Sequence, residues 1–179
     1  ITYLIYLFIY LVVGLRTIRE IASRPNFLFI LICECISYSA MGGLMAATPL
    51  AMDAHGFSFN ESTSAIQIHM VGMFVPSLVT GDVMKVLGKV NTMLLGYCLL
   101  LLGACLFYIG TSFIDYAFSI MMVGIGWNWS FVPATALFTT LFHPSEKTKI
   151  LALNDFIVIG VFAIALASVG SVFHETNWD

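Results

Sequence analysis

The chain has 179 residues, of which 60% are apolar and 9% carry a charge, and its mean hydropathy is +0.97. Soluble domains are typically about 45–50% apolar and about 25% charged, so this chain has too little charge to cover a soluble globule of its size. The composition excludes a soluble enzyme domain, a disordered tail and a nucleic-acid-binding protein, which would need a basic patch. The four cysteines lie inside apolar stretches and are interpreted as small core residues.

Long apolar windows, each free of formal charge, are about long enough to cross a bilayer as helices. They are continuously apolar, whereas the strands of a transmembrane barrel would alternate apolar and polar residues. The predicted fold class is therefore all-α, a polytopic transmembrane helical bundle. We expect helices near residues 1–15, 27–52, 63–82, 91–111, 114–142 and 150–172. Because both ends of the chain lie at apolar runs, we expect a fragment of a larger membrane protein.

The basic residues indicate the orientation of the bundle. All seven Lys and Arg residues fall in three alternate connections, at residues 16–26, 83–90 and 143–149, and the intervening connections contain none. Lys and Arg are retained on the cytoplasmic side during insertion. The three basic connections are therefore predicted to be cytoplasmic.

Small residues and prolines suggest how the helices pack. Small residues spaced by four, which allow helices to approach closely in lipid, are Ser39, Gly43 and Ala47 in one helix and Ala163 and Ala167 in another. Prolines within or near spans, which are expected to bend the helices, are Pro49, Pro76 and Pro133.

A short motif between two predicted spans carries a family resemblance. Residues 81–89 read Gly-Asp-Val-Met-Lys-Val-Leu-Gly-Lys and lie on the basic side. They resemble a degenerate copy of the Gly-x-x-x-Asp-Arg-x-Gly-Arg signature of the major facilitator superfamily of secondary transporters. Gly81, Gly88 and Lys89 keep the pattern, whereas Lys85 and Val86 replace its Asp and Arg. The segments RPNF, LMAATPLAM, IQIHMVGMFVPSLVTG, GIGWNWSF and LNDFIVIG resemble, in that order, a group of bacterial permeases of this superfamily.

The resemblance implies an organisation for the whole chain. Residues 1–15 would be the end of the sixth helix, residues 16–26 the central cytoplasmic loop, and residues 27–179 the carboxy-terminal half-bundle, with helices seven to eleven and truncated before the last. It also implies alternating access, with a solute held between two helical halves near mid-membrane. The expected partners are the lipid bilayer, the missing amino-terminal half and a small-molecule solute, with no nucleic acid. The expected location is the bacterial inner membrane.

Three ionisable residues inside spans are candidates for proton coupling or gating, because such groups are costly in a bilayer. They are Glu34, His69 and Asp155. Each has a structural alternative: Glu34 could form a pair inside the bundle, His69 could bond a neighbouring helix, and Asp155 could cap its helix or pair with a lysine.

The candidate solute-binding residues are Gln67, His69, Trp127 and Asn128. In the cluster at 124–129, glycines loosen the backbone, an amide can donate and accept hydrogen bonds, and indoles offer flat apolar walls. This combination is typical of a cavity for an organic solute, although packing between helices would use the same residues. Gln67 and His69 are two positions apart on one helix and therefore do not share a face.

Sequence motifs for other chemistries are absent. No Walker loop, HExxH or Gly-x-Ser-x-Gly motif occurs, so no catalytic residue, metal or cofactor is expected and the chain is predicted not to be an enzyme. The sequence favours secondary-active transport of a small solute, coupled to protons or another ion. The alternative is a non-transporting membrane bundle, such as an assembly or sensor subunit or a membrane-embedded enzyme.

Overall fold

The structure is a computed structural model that describes residues 20 and 22–176, with residues 170–176 described through their backbone only. The helices are α1 (Phe27–Ala54), α2 (Phe59–Phe74), α3 (Ser77–Leu87), α4 (Lys89–Ile109), α5 (Phe113–Phe138) and α6 (Lys147–Thr176), with a 3₁₀ turn at Pro144–Glu146. Four helical segments are long and apolar enough to cross a membrane, or five if α2 and α3 form one span. The predicted all-α transmembrane bundle is confirmed. The expected helix 1–15 lies outside the described residues.

Two helices begin at capping boxes. The Glu61 backbone N–H donates to Ser58 Oγ at 3.4 Å, and the Ser58 N–H donates to the Glu61 carboxylate at 2.8 Å. Ser112 and Asp115 form the same reciprocal pair before α5. These bonds satisfy backbone N–H groups that have no partner in the first turn of a helix. As a result, α2 begins at Phe59, four residues before the predicted start at 63.

The predicted helix 63–82 is present but bent at Pro76, as expected for a proline within a span. It consists of α2 and α3, which meet at an angle of 44°. Pro76 lies at the break, where it has no N–H to continue the helical hydrogen bonds. The expected loop at 83–90 is also mostly helical, since α3 continues to Leu87 and only Gly88, with φ 82°, separates it from α4. Pro49 and Pro133, by contrast, lie inside continuous helices.

Helix α5 lies at the centre of the bundle, packed against α1, α2 and α4, while α6 packs along α1. Glycines allow the closest approaches. A Cβ atom added at Gly96 of α4 would stand 2.3 Å from the Ser130 backbone nitrogen of α5, and one added at Gly124 would stand 2.7 Å from the His69 carbonyl oxygen of α2. The predicted packing face at Ala163 and Ala167 is instead exposed within the described chain.

Hydrogen bonds connect the loops and helix ends at each of the two ends of the bundle. At one end, Arg24 Nη1 donates to the Leu141 carbonyl oxygen and Lys89 Nζ donates to that of Ala136, each at 2.9 Å. At the other end, the Tyr116 hydroxyl lies 3.0 Å from His55 Nδ1. The described parts of the basic connections therefore lie together, as the alternation of the predicted spans requires. The assignment of this end to the cytoplasm stays a prediction.

Candidate functional site

The seam between α1, α5 and α6 holds a buried carboxyl group. Glu34 is 0% exposed, and its Oε1 accepts a hydrogen bond from Thr135 Oγ1 at 2.8 Å. Its Oε2 has no hydrogen-bond partner in the described part of the chain. The Asn154 side chain of α6 lies against this carboxyl group, and the charge of Asp155 acts on it. We call Glu34, Thr135 and Asn154 the carboxyl layer.

The surroundings of Glu34 favour a neutral carboxyl group in this packing. An ionised group buried in a protein costs several kcal/mol, and a hydrogen bond to a charged group returns only about 1.5–3 kcal/mol. Among the described residues, no Lys, Arg or His side chain contacts Glu34 to compensate its charge. A site of this kind can take up a proton and, when opened to water, release it.

Aromatic rings from the same three helices form a second cluster. The Trp127 and Phe131 rings are stacked, with centroids 5.3 Å apart and planes 12° apart. Tyr38 meets the edges or faces of both and of Phe162, with centroid distances of 5.9, 5.5 and 5.3 Å. The Trp127 indole nitrogen is buried and has no hydrogen-bond partner in the described region. We call these four residues the aromatic layer.

The two layers are neighbours along the seam. Tyr38 follows Glu34 by one helical turn on α1, and Thr135 follows Phe131 by one turn on α5. At 1.5 Å per residue, the layers lie about 6 Å apart along the helix axes. The hydroxyl groups of Ser37 and Ser130 bond to each other across α1 and α5 in the same region. The arrangement places a cluster of packed aromatic rings next to a buried carboxyl group.

Two predicted site residues lie elsewhere, at the contact of α5 with the broken span. His69 is 0% exposed, and its Nδ1 lies 2.8 Å from the Ile120 carbonyl oxygen, while Nε2 lacks a partner among the described residues. Asn128 is 1% exposed. Its amide nitrogen donates to the Met73 carbonyl oxygen at 3.0 Å and to Ser77 Oγ at 2.6 Å.

Asn128 thus braces the break between α2 and α3. Its carbonyl oxygen also accepts a hydrogen bond from Thr80 Oγ1, at 2.5 Å. Met73 and Ser77 lie on opposite sides of the break, where Pro76 interrupts the regular helical bonds. With its two amide hydrogens and its oxygen engaged, Asn128 has little left to offer a solute in this packing.

The remaining predicted residues are near the surface of the described chain. Gln67 is exposed on α2, away from both layers. Asp155 is also exposed, although it lies beside the carboxyl layer. In the signature motif, Lys85 forms an exposed ion pair with Asp82 at 2.7 Å, and Lys89 caps the end of α5. Gly81 lies within α3 with open space around it.

Sequence reasoning missed most members of the two layers. These residues are Tyr38, Phe131, Thr135, Asn154 and Phe162. The spacing of Trp127, Phe131 and Thr135 by four, which places them on one face of α5, is a sequence signal that could have linked an aromatic pair to a hydroxyl group.

Comparisons with known proteins give the chain its relatives. It is 34% identical to the riboflavin transporter RfnT of Brucella anthropi, with 92% of this chain and 41% of that protein covered. Two Bacillus subtilis proteins named as uncharacterized MFS-type transporters are also similar. YddS is 27% identical, with 73% of this chain and 29% of that protein covered. YdeG is 28% identical, with 74% of this chain and 35% of that protein covered. No protein-family model and no solved structure matches.

The chain spans about two fifths or less of the length of these relatives, which is consistent with the predicted carboxy-terminal half. The relatives are named as transporters, in agreement with the expectation that the chain is not an enzyme. The apolar helices and the relatives identify a multi-pass membrane protein. The chain belongs to the major facilitator superfamily of membrane transporters.

Proposed function

We propose that the full-length protein is a secondary-active transporter that carries a flat aromatic solute, with riboflavin as the first candidate. It would work by alternating access in the bacterial inner membrane, coupled to protons or another ion, with the basic end of the bundle in the cytoplasm. The observation that carries this proposal is the aromatic layer. No observation favours the alternative of a non-transporting bundle.

The geometry of the aromatic layer suits a flat ring system. Aromatic pairs prefer offset-stacked or edge-to-face arrangements, and each such pair contributes about 0.5–1.5 kcal/mol beyond the area that it buries. The Trp127 indole N–H is buried without a partner in the described region, so it is free to donate to a solute that enters when the helices separate. The Brucella anthropi relative is named as a riboflavin transporter, and riboflavin carries a flat heteroaromatic ring with hydrogen-bond acceptors.

The amino-terminal half, the partner expected from the resemblance, would supply the rest of the binding cavity. Of the predicted solute-binding residues, Trp127 belongs to the aromatic layer and keeps that role in this proposal. Contacts of Gln67, His69 and Asn128 with a solute stay predictions, and in this structure His69 and Asn128 serve the contact between α2 and α5.

The test is transport of riboflavin by the full-length protein in reconstituted vesicles. We expect saturable exchange in the wild type and a KM raised about 2–10-fold in Trp127→Leu, the equivalent of one lost aromatic contact. Trp129→Leu is the matched control, because Trp129 is on the same helix but outside the aromatic layer. The proposal fails if riboflavin and other flat heteroaromatic solutes neither bind nor exchange, or if the two variants behave alike.

A further inference from the structure

Only one oxygen of the buried Glu34 carboxyl group has a hydrogen bond of normal geometry among the described residues, although the Asn154 side chain lies nearby. Thr135 serves Oε1, whereas Oε2 has no partner among the described residues and the side chain is 0% exposed. Buried polar atoms without partners are rare in native proteins, and protonation of Oε2 is one way to remove the cost of leaving a buried charge unsatisfied. Glu34 also lies one helical turn from the aromatic layer.

Few titratable groups face Glu34. Cys33 and Cys35 flank it on α1, and Asp155 approaches it from α6. From α4, the Tyr97 hydroxyl donates to the Cys33 carbonyl oxygen at 2.6 Å and so is already engaged. The described groups around Glu34 are therefore acidic or neutral, and none of them supplies a positive charge to balance an ionised Glu34.

A proton fits this space better than a metal cation. Hard cations such as Ca²⁺ and Mg²⁺ take about six or more oxygen ligands. The carboxyl layer offers the Glu34 oxygens and the Asn154 amide oxygen, which has no partner in the described region. The Thr135 hydroxyl is already engaged, since it lies 2.8 Å from Glu34 Oε1 and 3.1 Å from the Phe131 carbonyl oxygen. A single proton on Oε2 removes the buried charge and needs no further ligands.

The other two ionisable candidates are placed less well for coupling. His69 lies at the contact of α2 with α5, bonded to the Ile120 carbonyl oxygen and away from the seam. Asp155 is exposed in the described part of the chain, and no described hydrogen bond positions its carboxyl group. Glu34, in contrast, is covered by α6, which packs against the described bundle mainly through α1.

We propose that Glu34 is the proton-binding group that couples solute movement to a proton gradient, with Thr135 and Asn154 as its positioning residues. With the seam closed, Glu34 holds the proton. When α6 moves away from α1, water reaches the carboxyl group, the O–H bond breaks and the proton passes to water on one side of the membrane. The carboxylate is reprotonated from the other side in the opposite conformation. This inference rests on the proposed transport function.

The test separates exchange of solute from accumulation of solute in vesicles that contain the full-length protein and labelled riboflavin. In Glu34→Gln, we expect exchange to persist and accumulation driven by an imposed pH gradient to be lost. Asp53→Asn is the matched control: the same change of group on the same helix, at an exposed position, should leave both activities intact. Accumulation by Glu34→Gln driven by a pH gradient would overturn the inference, as would accumulation in the wild type driven by sodium but not by protons.

An infrared measurement tests Glu34 even if riboflavin is not transported. At neutral pH, the purified wild type should show the carbonyl band of a protonated carboxyl group that Glu34→Gln lacks. If the Gln variant cannot be purified, Glu34→Asp should shift the band. Absence of a band that depends on Glu34 would overturn the inference, whereas failure of riboflavin exchange alone would count against the proposed solute.

Discussion

The contact of α4 with α5 gives the sharpest prediction about the fold. Gly96→Ala should destabilise the protein, because a Cβ atom there would stand 2.3 Å from the Ser130 nitrogen, 2.4 Å from the Trp129 carbonyl carbon and 2.8 Å from the Gly126 oxygen. All three atoms belong to the backbone, so none can rotate away. The clash can be relieved only by moving one helix from the other.

The size of the effect follows from these distances. Ordinary van der Waals contact starts at 3.4 Å, so a carbon at 2.4 Å requires the helices to separate by about 1 Å. Overpacking that forces backbone shifts costs about 1–3 kcal/mol, and the upper end applies here because no side chain can absorb the change. The higher helix propensity of alanine offsets about 0.5–1 kcal/mol of this loss in stability. The net loss is about 2 kcal/mol, which lowers Tm by about 4–8 °C for a half that melts as one unit, at the roughly 2–4 °C per kcal/mol typical of 150–250 residues.

The assay is thermal unfolding of the purified full-length protein in detergent. Gly160→Ala is the matched control, because Gly160 lies inside α6 and an added Cβ atom would meet nothing within 4 Å. We expect Gly160→Ala to melt at or above the wild-type temperature and Gly96→Ala several degrees below it. Equal melting temperatures for the two variants would refute the close approach of α4 and α5.

Two further predictions concern the broken span and the orientation. Asn128→Ala should lower the free energy of unfolding by about 1–3 kcal/mol, because it leaves buried partners at the break unsatisfied. It should lower Tm far more than the control Asn91→Ala, which removes an exposed hydrogen bond to the Leu87 carbonyl oxygen. Similar melting of the two variants would contradict the bracing role. In a background without native cysteines, Asn60→Cys should react with a membrane-impermeant maleimide from outside intact cells, and Thr148→Cys only after permeabilisation. The reverse pattern of labelling would invert the predicted topology.

The number and type of the elements could be predicted because lipid imposes strict conditions. A backbone that crosses a bilayer must satisfy its own hydrogen bonds, so a long apolar window predicts a helix directly. The starts of the helices were less accurate, although Ser58 with Glu61 and Ser112 with Asp115 show the spacing of capping boxes in the printed sequence. Pro76 predicts a bend, whereas the angle of 44° between α2 and α3 depends on how the two helices pack.

The members of the two layers could not be predicted together. Glu34 and Trp127 are conspicuous in type, but the partners of Glu34 lie on α5 and α6, more than 90 residues away. Which faces of these helices meet depends on their rotation about their own axes. In a soluble protein, an apolar stripe indicates that rotation. Here apolar residues such as Leu28, Phe156 and Ile164 cover the exposed faces as well, so the pattern carries no such signal.

Asn128 and Glu34 show how two buried polar side chains of the spans can differ in their hydrogen bonding. Asn128 and Glu34 are both polar, buried and inside spans, yet Asn128 has partners for its amide on both sides of the helix break. Glu34 Oε2 and the Trp127 indole nitrogen have none in the described chain. Both open groups lie along the contact of α1 with α5, which α6 also borders. A displacement of α6 would therefore change the aromatic layer and the carboxyl layer together, as the proposed coupling of solute movement to proton movement requires.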